Sequence, residues 1–394
     1  MNIAVGQSGG PTCAINASLA GVVEEIRILG GKAYGAKNGI DGVICNAFRN
    51  LTDLSDSQLR LLKQTPSAAL GSCRTKLPSA EVKPELYQTI FENLSKRGID
   101  AFLYIGGNDS MDTVAKLQAY AMQINSDIRF VGIPKTVDND LPETDHTPGF
   151  GSAARYVTVT TQEITRDSSV YDVNSVTIIE IMGRDAGWLT ASVCALDTPP
   201  HLVYLPEVPF CVETFLATVN QLHQNGIKNV IVAVSEGVKT ACGEYVGSES
   251  KSGKSDVFGH KYLAGVGRYL ESQVSEKLGC KVRAVELNVC QRCASHVASE
   301  SDLIEAEAVA RAAVNAAKAK YSGVMMTIQR TSDDPYAVEY KPVEVCAIAN
   351  NVRLFPTQWI NKDGNGIVPE AKGYFAPLVG ELLKHFIMED SDFG

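Results

Sequence analysis

The sequence has no surplus of positive charge. Against 36 Lys and Arg stand 45 Asp and Glu, a formal net charge of -9 over 394 residues. A surface of that sign gives no general attraction to nucleic acid or an anionic membrane, so an anionic ligand must be met by local Lys, Arg and backbone N–H groups. No apolar run approaches a bilayer span, and the N-terminal MNIAVGQSGG reads directly as a strand without a signal-peptide pattern. The expected compartment is therefore the cytoplasm. Disulfide and zinc frameworks are missing too. The ten cysteines are scattered through apolar contexts such as Cys45, Cys194 and Cys346, the pattern of reduced core thiols. One C-x-x-C, Cys290 to Cys293, has no second pair and no suitably spaced histidines, which argues against a metal site.

Two nucleotide-binding signatures also fail. The first glycine loop lacks Gly-Lys-Ser/Thr and so is not a Walker A loop, nor does it match G-x-G-x-x-G. GFGSAA, 149–154, fits G-x-G-x-x-A, but it follows LPETDHTP rather than an apolar strand. A nicotinamide-binding fold is not expected there.

What is present is a 45% hydrophobic chain, long enough for two or more domains, with 33 glycines and 16 prolines to make short connections. Apolar runs predict strands at Ile3–Val5, Ala101–Ile105, Phe130–Ile133, Val176–Ile181, Val230–Val234, Val282–Val289 and Val343–Ala347. Helical spacing predicts helices over 14–29, 111–124, 153–167, 212–224, 261–278, 300–320 and 369–386. Unalternated strands separated by helices argue for a doubly wound α/β architecture, whose ligands sit beyond the carboxyl ends of the strands. The polar, Gly/Ser-rich segment 247–259 is expected to be a surface loop or a lid.

Three strand ends carry unusual chemistry. After the first strand comes GQSGGPTCAINAS, where Gly9 and Gly10 permit a tight turn and Pro11 suits a first helical position. A helix N-terminus there would cradle phosphate, although a plain strand–helix turn favours glycine equally. YIGGNDSMDT, 104–113, repeats the geometry and adds Asn108, Asp109 and Asp112. Carboxylates beside a phosphate cradle make sense with Mg²⁺ between them, while Ser110 or Asp109 could instead cap a helix starting near Met111. In IRFVGIPKTVDNDL, 128–141, a buried strand stops at Pro134 and releases Lys135, Thr136, Asp138, Asn139 and Asp140 within six positions. An Asx-rich turn is the bland reading of that cluster.

Taken together, SGGPTCAINAS, LGSCR (70–74), GGNDS, PKTVDND, MGRDAGW (182–188), SEG (235–237) and QR (291–292) resemble the motifs of phosphofructokinases, in the same order and over roughly residues 3 to 295. The likeness is to the pyrophosphate-using branch. It implies two doubly wound, Rossmann-like α/β domains: residues 1–145 with roughly 293–345 for the donor, and 146–292 with roughly 346–394 for the sugar phosphate. It further implies the glycolytic, reversible, Mg²⁺-dependent transfer of phosphoryl from pyrophosphate to the 1-hydroxyl of fructose 6-phosphate. In ATP-using relatives small residues stand where this chain has Asp109 and Lys135. Asp109 would fill and charge the space of a nucleotide's α-phosphate, and Lys135 would hold pyrophosphate. An ammonium about 4 Å from a phosphate oxygen gains roughly 4 kcal/mol at an effective dielectric near 20, before desolvation.

By the same resemblance Asp138 is the general base, and Arg74 bridges the donor and acceptor phosphates. Gly10, Thr136 and Val137 face substrate, with Asp140 as a metal-holding or loop-ordering group. Met182, Gly183, Arg184 and Glu236 would contact the sugar, Arg283 and Arg292 its 6-phosphate, and Asn108 with Asp109 the metal. A base as weak as a carboxylate suffices because the hydroxyl acidifies as its new bond forms. None of the six histidines falls in these motifs, which argues against a histidine phosphoenzyme.

The chain departs from the family pattern at three positions. Asn108 replaces an aspartate, Val289 (with Asn288 beside it) a histidine, and Ser175 an arginine lent by a neighbouring subunit. The resemblance implies a homodimer or homotetramer. ATP or another sugar phosphate as substrate, or a non-catalytic sugar-phosphate sensor, remain as alternatives.

Overall fold

A computed structural model describes residues 1–247 and 265–386. Eleven strands form two sheets among the described residues. The strands are β1 Asn2–Gln7, β2 Lys32–Ala36, β3 Phe48–Asn50, β4 Ala101–Gly106, β5 Arg129–Pro134, β6 Ser175–Ile181, β7 Leu202–Tyr204, β8 Asn229–Ser235, β9 Lys281–Glu286, β10 Val324–Asp333 and β11 Tyr336–Glu344. The first sheet has the order β11-β10-β5-β4-β1-β2-β3, with β10, β5, β4, β1 and β2 parallel and an antiparallel strand at each edge. The second, β7-β8-β6-β9, is parallel throughout.

The apolar runs are continuous because both faces of each sheet are buried. In the first sheet Ile3, Val5, Leu103, Ile105, Val131 and Ile133 enter one core. Their alternate neighbours Ala4, Phe102, Tyr104 and Phe130 enter another. The second sheet divides likewise, with Ile179, Ile181, Ile231 and Ala233 on one face and Val176, Ile178, Val230 and Val232 on the other. Helix Glu300–Lys318 returns to the first sheet, where Val309, Ala313 and Val314 share a core with Leu19, Val22 and Ile26.

Several expected boundaries move. The strand expected at Val343–Ala347 is β11, ending at Glu344, and residues 345–347 form a 3-10 turn. The strand expected to reach Val289 stops at Glu286. The helix expected over 369–386 is limited to Lys372–Val379, because Gly380 takes a left-handed φ of 73°. Helices Asp56–Gln64 and Pro84–Lys96 were not anticipated, though Ser55 and Gln58 form a reciprocal capping box at the start of the first. Of the expected loop at 247–259, everything from residue 248 lies outside the described residues, as does the start of the helix expected at 261–278, which is described over Val266–Leu278. No helix among the described residues is long and apolar enough to cross a membrane.

Candidate active site

Both sheets point strand ends at one cavity of about 1120 Å³. From the first sheet come the loops after β1, β4 and β5, three neighbours in the order β5-β4-β1. The chain leaves β1 for β2 on one side while β4 lies on the other, so the loops gather at a topological switch point. Across the cavity stand the ends of β8, β6 and β9, again adjacent.

The first glycine loop is fixed from two sides. Gly9 N–H donates to the Cys73 carbonyl at 2.9 Å, and Ser72 Oγ donates to the Gly9 carbonyl at 2.6 Å. Its helix does not follow at once: it begins at Ile15, and Thr12 Oγ1 already accepts the Ile15 N–H at 3.0 Å. Gly9 and Gly10 therefore sit in a loop and not at the helix end. After β4 the helix starts immediately, at Asn108, so Gly107, Asn108 and Asp109 line the cavity from its first turn. Neither Asp109 nor Ser110 caps it. Ser110 Oγ instead donates to Ser8 Oγ at 2.9 Å.

Lys135 is the central cation. Its side chain is only 3% exposed, and its Nζ donates to the Gly10 carbonyl at 2.8 Å. Burial lowers its pKa to about 8; Asp138 and Asp140 oppose that fall, while Arg74 and Arg292 add to it. Asp138 and Asp140 are partly exposed to the cavity, yet protein walls surround it and leave both carboxyls poorly solvated. Burial raises the pKa of Asp138 against the attraction of Lys135 and Arg184. Burial, and then the charge of Asp138, push Asp140 up to about 7. Glu236 is raised to about 7 by burial and by Asp138, with Arg184 opposing. The cavity thus holds carboxyls poised near neutrality beside fixed cations, the arrangement expected of proton transfer to and from an anionic substrate.

On the opposite wall Met182 and Arg184 follow β6. The Met182 N–H donates to Oε1 of buried Gln291 at 3.1 Å, tying this strand end to the short helix Cys290–Cys293 that carries Arg292. Arg292 in turn reaches the first glycine loop, since a Cβ on Gly10 would lie 3.3 Å from its guanidinium.

The cavity brings together Gly10, Arg74, Asn108, Asp109, Lys135, Thr136, Val137, Asp138, Met182, Arg184, Glu236 and Arg292. Two expected residues are not on its wall. Gly183 shapes the turn between Met182 and Arg184, its carbonyl accepting from Ser235 Oγ. Arg283 lies within β9, pairing with Asp167 at 3.2 Å at a separate, small surface pocket. Its position in mid-strand, not at the strand end, turns it away from this chain's own cavity. Asn108 is also differently engaged. Its amide donates to the Asn351 carbonyl, and its Oδ1 accepts the Asn350 N–H at 2.5 Å. Both halves of the side chain are committed to the 350–351 loop. Lys76 was not anticipated: its Nζ lies 3.1 Å from Asp109 at the donor end. Among the described residues no three His, Cys, Asp or Glu side chains could hold a metal ion by themselves. A magnesium ion held by one carboxylate and by phosphate oxygens fits such a site, because Mg²⁺ keeps most of its waters and shares its substrate's charge.

A mainly parallel two-sheet fold with its strand ends on a cationic and acidic cavity is that of the phosphofructokinases, and the chain belongs to this family, whose sequence model matches residues 2–317. It is 39% identical over 384 residues to the pyrophosphate--fructose 6-phosphate 1-phosphotransferase of Xanthomonas campestris pv. campestris, covering 96% of this chain and 91% of that one. Among solved structures it is similar to the pyrophosphate-dependent phosphofructokinase of Nitrosospira multiformis, at 35% identity and a TM-score of 0.86 over 99% of this chain and 94% of that one. The Marinobacter aquaeolei enzyme of the same description is 34% identical, with a TM-score of 0.85 over 98% and 93% of the two chains.

Proposed function

We propose that this protein reversibly transfers a phosphoryl group from pyrophosphate to the 1-hydroxyl of fructose 6-phosphate, with the first-sheet loops holding the donor and the second-sheet loops the sugar. The observation that carries this reading is a buried ammonium, Lys135, set beside Asp138 in a cavity whose far wall presents Arg184 and Arg292. Asp138 takes the proton of the attacking hydroxyl. Lys135, Arg74 and the backbone of Gly10 meet the charge of the transferring group, which is where phosphoryl transfer gains most. Thr136 and Val137 border the reacting groups. Glu236, with Met182 and Arg184, receives the sugar, and Arg292 its 6-phosphate. Mg²⁺, held by Asp109 and pyrophosphate oxygens, would neutralise donor charge when bound. Asp109 and Lys135 together favour pyrophosphate over ATP, since one occupies nucleotide space and the other supplies the missing handle.

The donor lobe comprises residues 1–145 and roughly 293–345, the sugar lobe 146–292 and roughly 346–394, and the protein works in the cytoplasm as a homo-oligomer. Arg283, exposed on β9, then acts in the cavity of a second copy. The test is turnover of purified protein with Mg²⁺ and fructose 6-phosphate, comparing pyrophosphate with ATP. Turnover with pyrophosphate is expected, and Asp138→Ala should abolish it while leaving fructose 6-phosphate binding intact. Turnover with ATP alone would overturn the donor assignment, and tight sugar-phosphate binding without turnover would favour a sensor.

A further inference from the structure

The loop Thr136–Asp140 that carries the base is held from behind by one residue outside the cavity. Arg353 belongs to the segment after β11, well past residue 317, where the family match ends. Its guanidinium donates to the Asn139 carbonyl at 2.9 Å and, through the other terminal nitrogen, to the Thr144 carbonyl at 2.7 Å. The same nitrogen reaches the Asp145 carbonyl. The Arg353 backbone N–H donates to the Asp140 carbonyl at 2.8 Å. Both residues that follow Asp138 are thus pinned by one side chain and its own backbone. Asn139, between Asp138 and Asp140, turns the loop through a left-handed φ of 55°, a conformation asparagine adopts more readily than other residues with a side chain.

Arg353 also meets the sugar-facing loop, through the same guanidinium and through its carbonyl. Its guanidinium lies 4.3 Å from the ring centroid of Trp188, the last residue of the MGRDAGW run. Trp188 Nε1 donates to the Arg353 carbonyl at 3.1 Å. Two residues on, the Phe355 N–H and the Gly187 N–H both donate to Glu207 Oε1 at 2.8 Å. The segment 353–355 is therefore bonded to the base loop on one side and to the 182–188 loop on the other. Tyr374 adds a further tie, accepting from Asn139 Nδ2 at 2.8 Å and donating to the Asp145 carbonyl at 2.7 Å.

We propose that Arg353 is a positioning residue which sets the distance between the base loop and the sugar-facing loop, so that Asp138 lies in reach of the hydroxyl it deprotonates. This rests on the phosphoryl-transfer reading. A planar guanidinium can donate in two directions within its plane while stacking on Trp188; lysine has the charge without that geometry. Misplacing a reacting group by about 1 Å costs on the order of 100-fold in rate.

The experiment measures kcat, both KM values and Tm for Arg353→Lys and Arg353→Ala beside the wild type. Arg353→Lys should keep its fold and hold each KM within about threefold of wild type, while kcat falls by about 100-fold. Adding guanidinium at millimolar concentration should raise the kcat of Arg353→Ala at least about tenfold without raising its Tm, whereas a merely structural role would raise the two together. If Arg353→Lys does not fold, Arg353→Gln carries the test, its planar amide keeping a donor toward one carbonyl only, with kcat expected to fall at least about tenfold at unchanged KM. A folded Arg353→Lys with wild-type kcat, a loss confined to KM, or a loss that tracks only the unfolded fraction would each overturn the inference. An inactive wild type would sink the phosphoryl-transfer reading instead, so the two failures are distinct.

Discussion

Lys135 Nζ reaches from the end of β5 past the intervening strand β4 to donate to the Gly10 carbonyl, 2.8 Å away at the end of β1. A single carbonyl is a modest partner for a buried ammonium, which is why burial can depress its pKa to about 8 despite two nearby aspartates. An incoming pyrophosphate would supply the missing counter-charge.

Lys135→Met keeps most of the side chain's length and removes the charge. The kcat/KM for pyrophosphate should fall by about 100-fold, a figure below the full Coulomb estimate because desolvation of the ammonium is also removed. The KM for fructose 6-phosphate should change little. In the wild type, kcat/KM for pyrophosphate should decline as pH rises through about 8, where Lys135 loses its proton. The variant should lack that decline. Full pyrophosphate activity in the variant would remove Lys135 from donor binding.

Asp140 gives a prediction about stability. Its carboxyl is raised from its ordinary value of 3.8 to about 7, so the folded protein holds a proton that the unfolded chain releases. The unfolded state binds fewer protons across that interval, and stability falls as pH rises through it. Asp140→Asn removes this loss. Its Tm advantage over the wild type should be small at pH 4, grow up to about pH 7 and then level off. Thermal melts across this range decide the matter. An advantage independent of pH would mean that Asp140 does not carry the raised pKa.

Much of this site was legible because each part is contiguous in sequence. Lys135 to Asp140 leave one strand end within six positions, and parallel strands bring every such end to the same side. The helix over 212–224 was readable from apolar spacing alone and appears as Val212–Gln224. What could not be read depends on pairing across long separations. β10, VMMTIQRTSD, loses its apolar character halfway, and only its first residues, Val324 and Met325, pair with β5, nearly two hundred positions earlier. Arg283 and Arg292 look equivalent as two arginines near a strand end, but the register of β9 against β6 sets Arg283 opposite Thr177, in mid-strand. Arg353 carries no local signal, being an arginine in NNVRLFP whose partners are carbonyls of a distant loop.

Gly183 offers a test of the sugar-facing turn that separates geometry from general destabilisation. Its φ is +135°, and an added Cβ would lie 2.7 Å from the Ala186 carbonyl oxygen and 3.0 Å from Ser235 Oγ. Neither can yield easily: the first is backbone, and the second is bonded to the Gly183 carbonyl itself. Gly183→Ala should therefore displace Met182 and Arg184, which flank it on the cavity wall, and raise the KM for fructose 6-phosphate by about tenfold or more, with a stability loss of about 1–3 kcal/mol. Gly226→Ala is the control. There φ is +91° and nothing lies within 4 Å of the added carbon, so the backbone strain is present without the collision and far from any substrate group. It should lower Tm while leaving both KM values unchanged. An equal rise in KM for both variants would show that the effect reports loss of stability and not the position of Arg184.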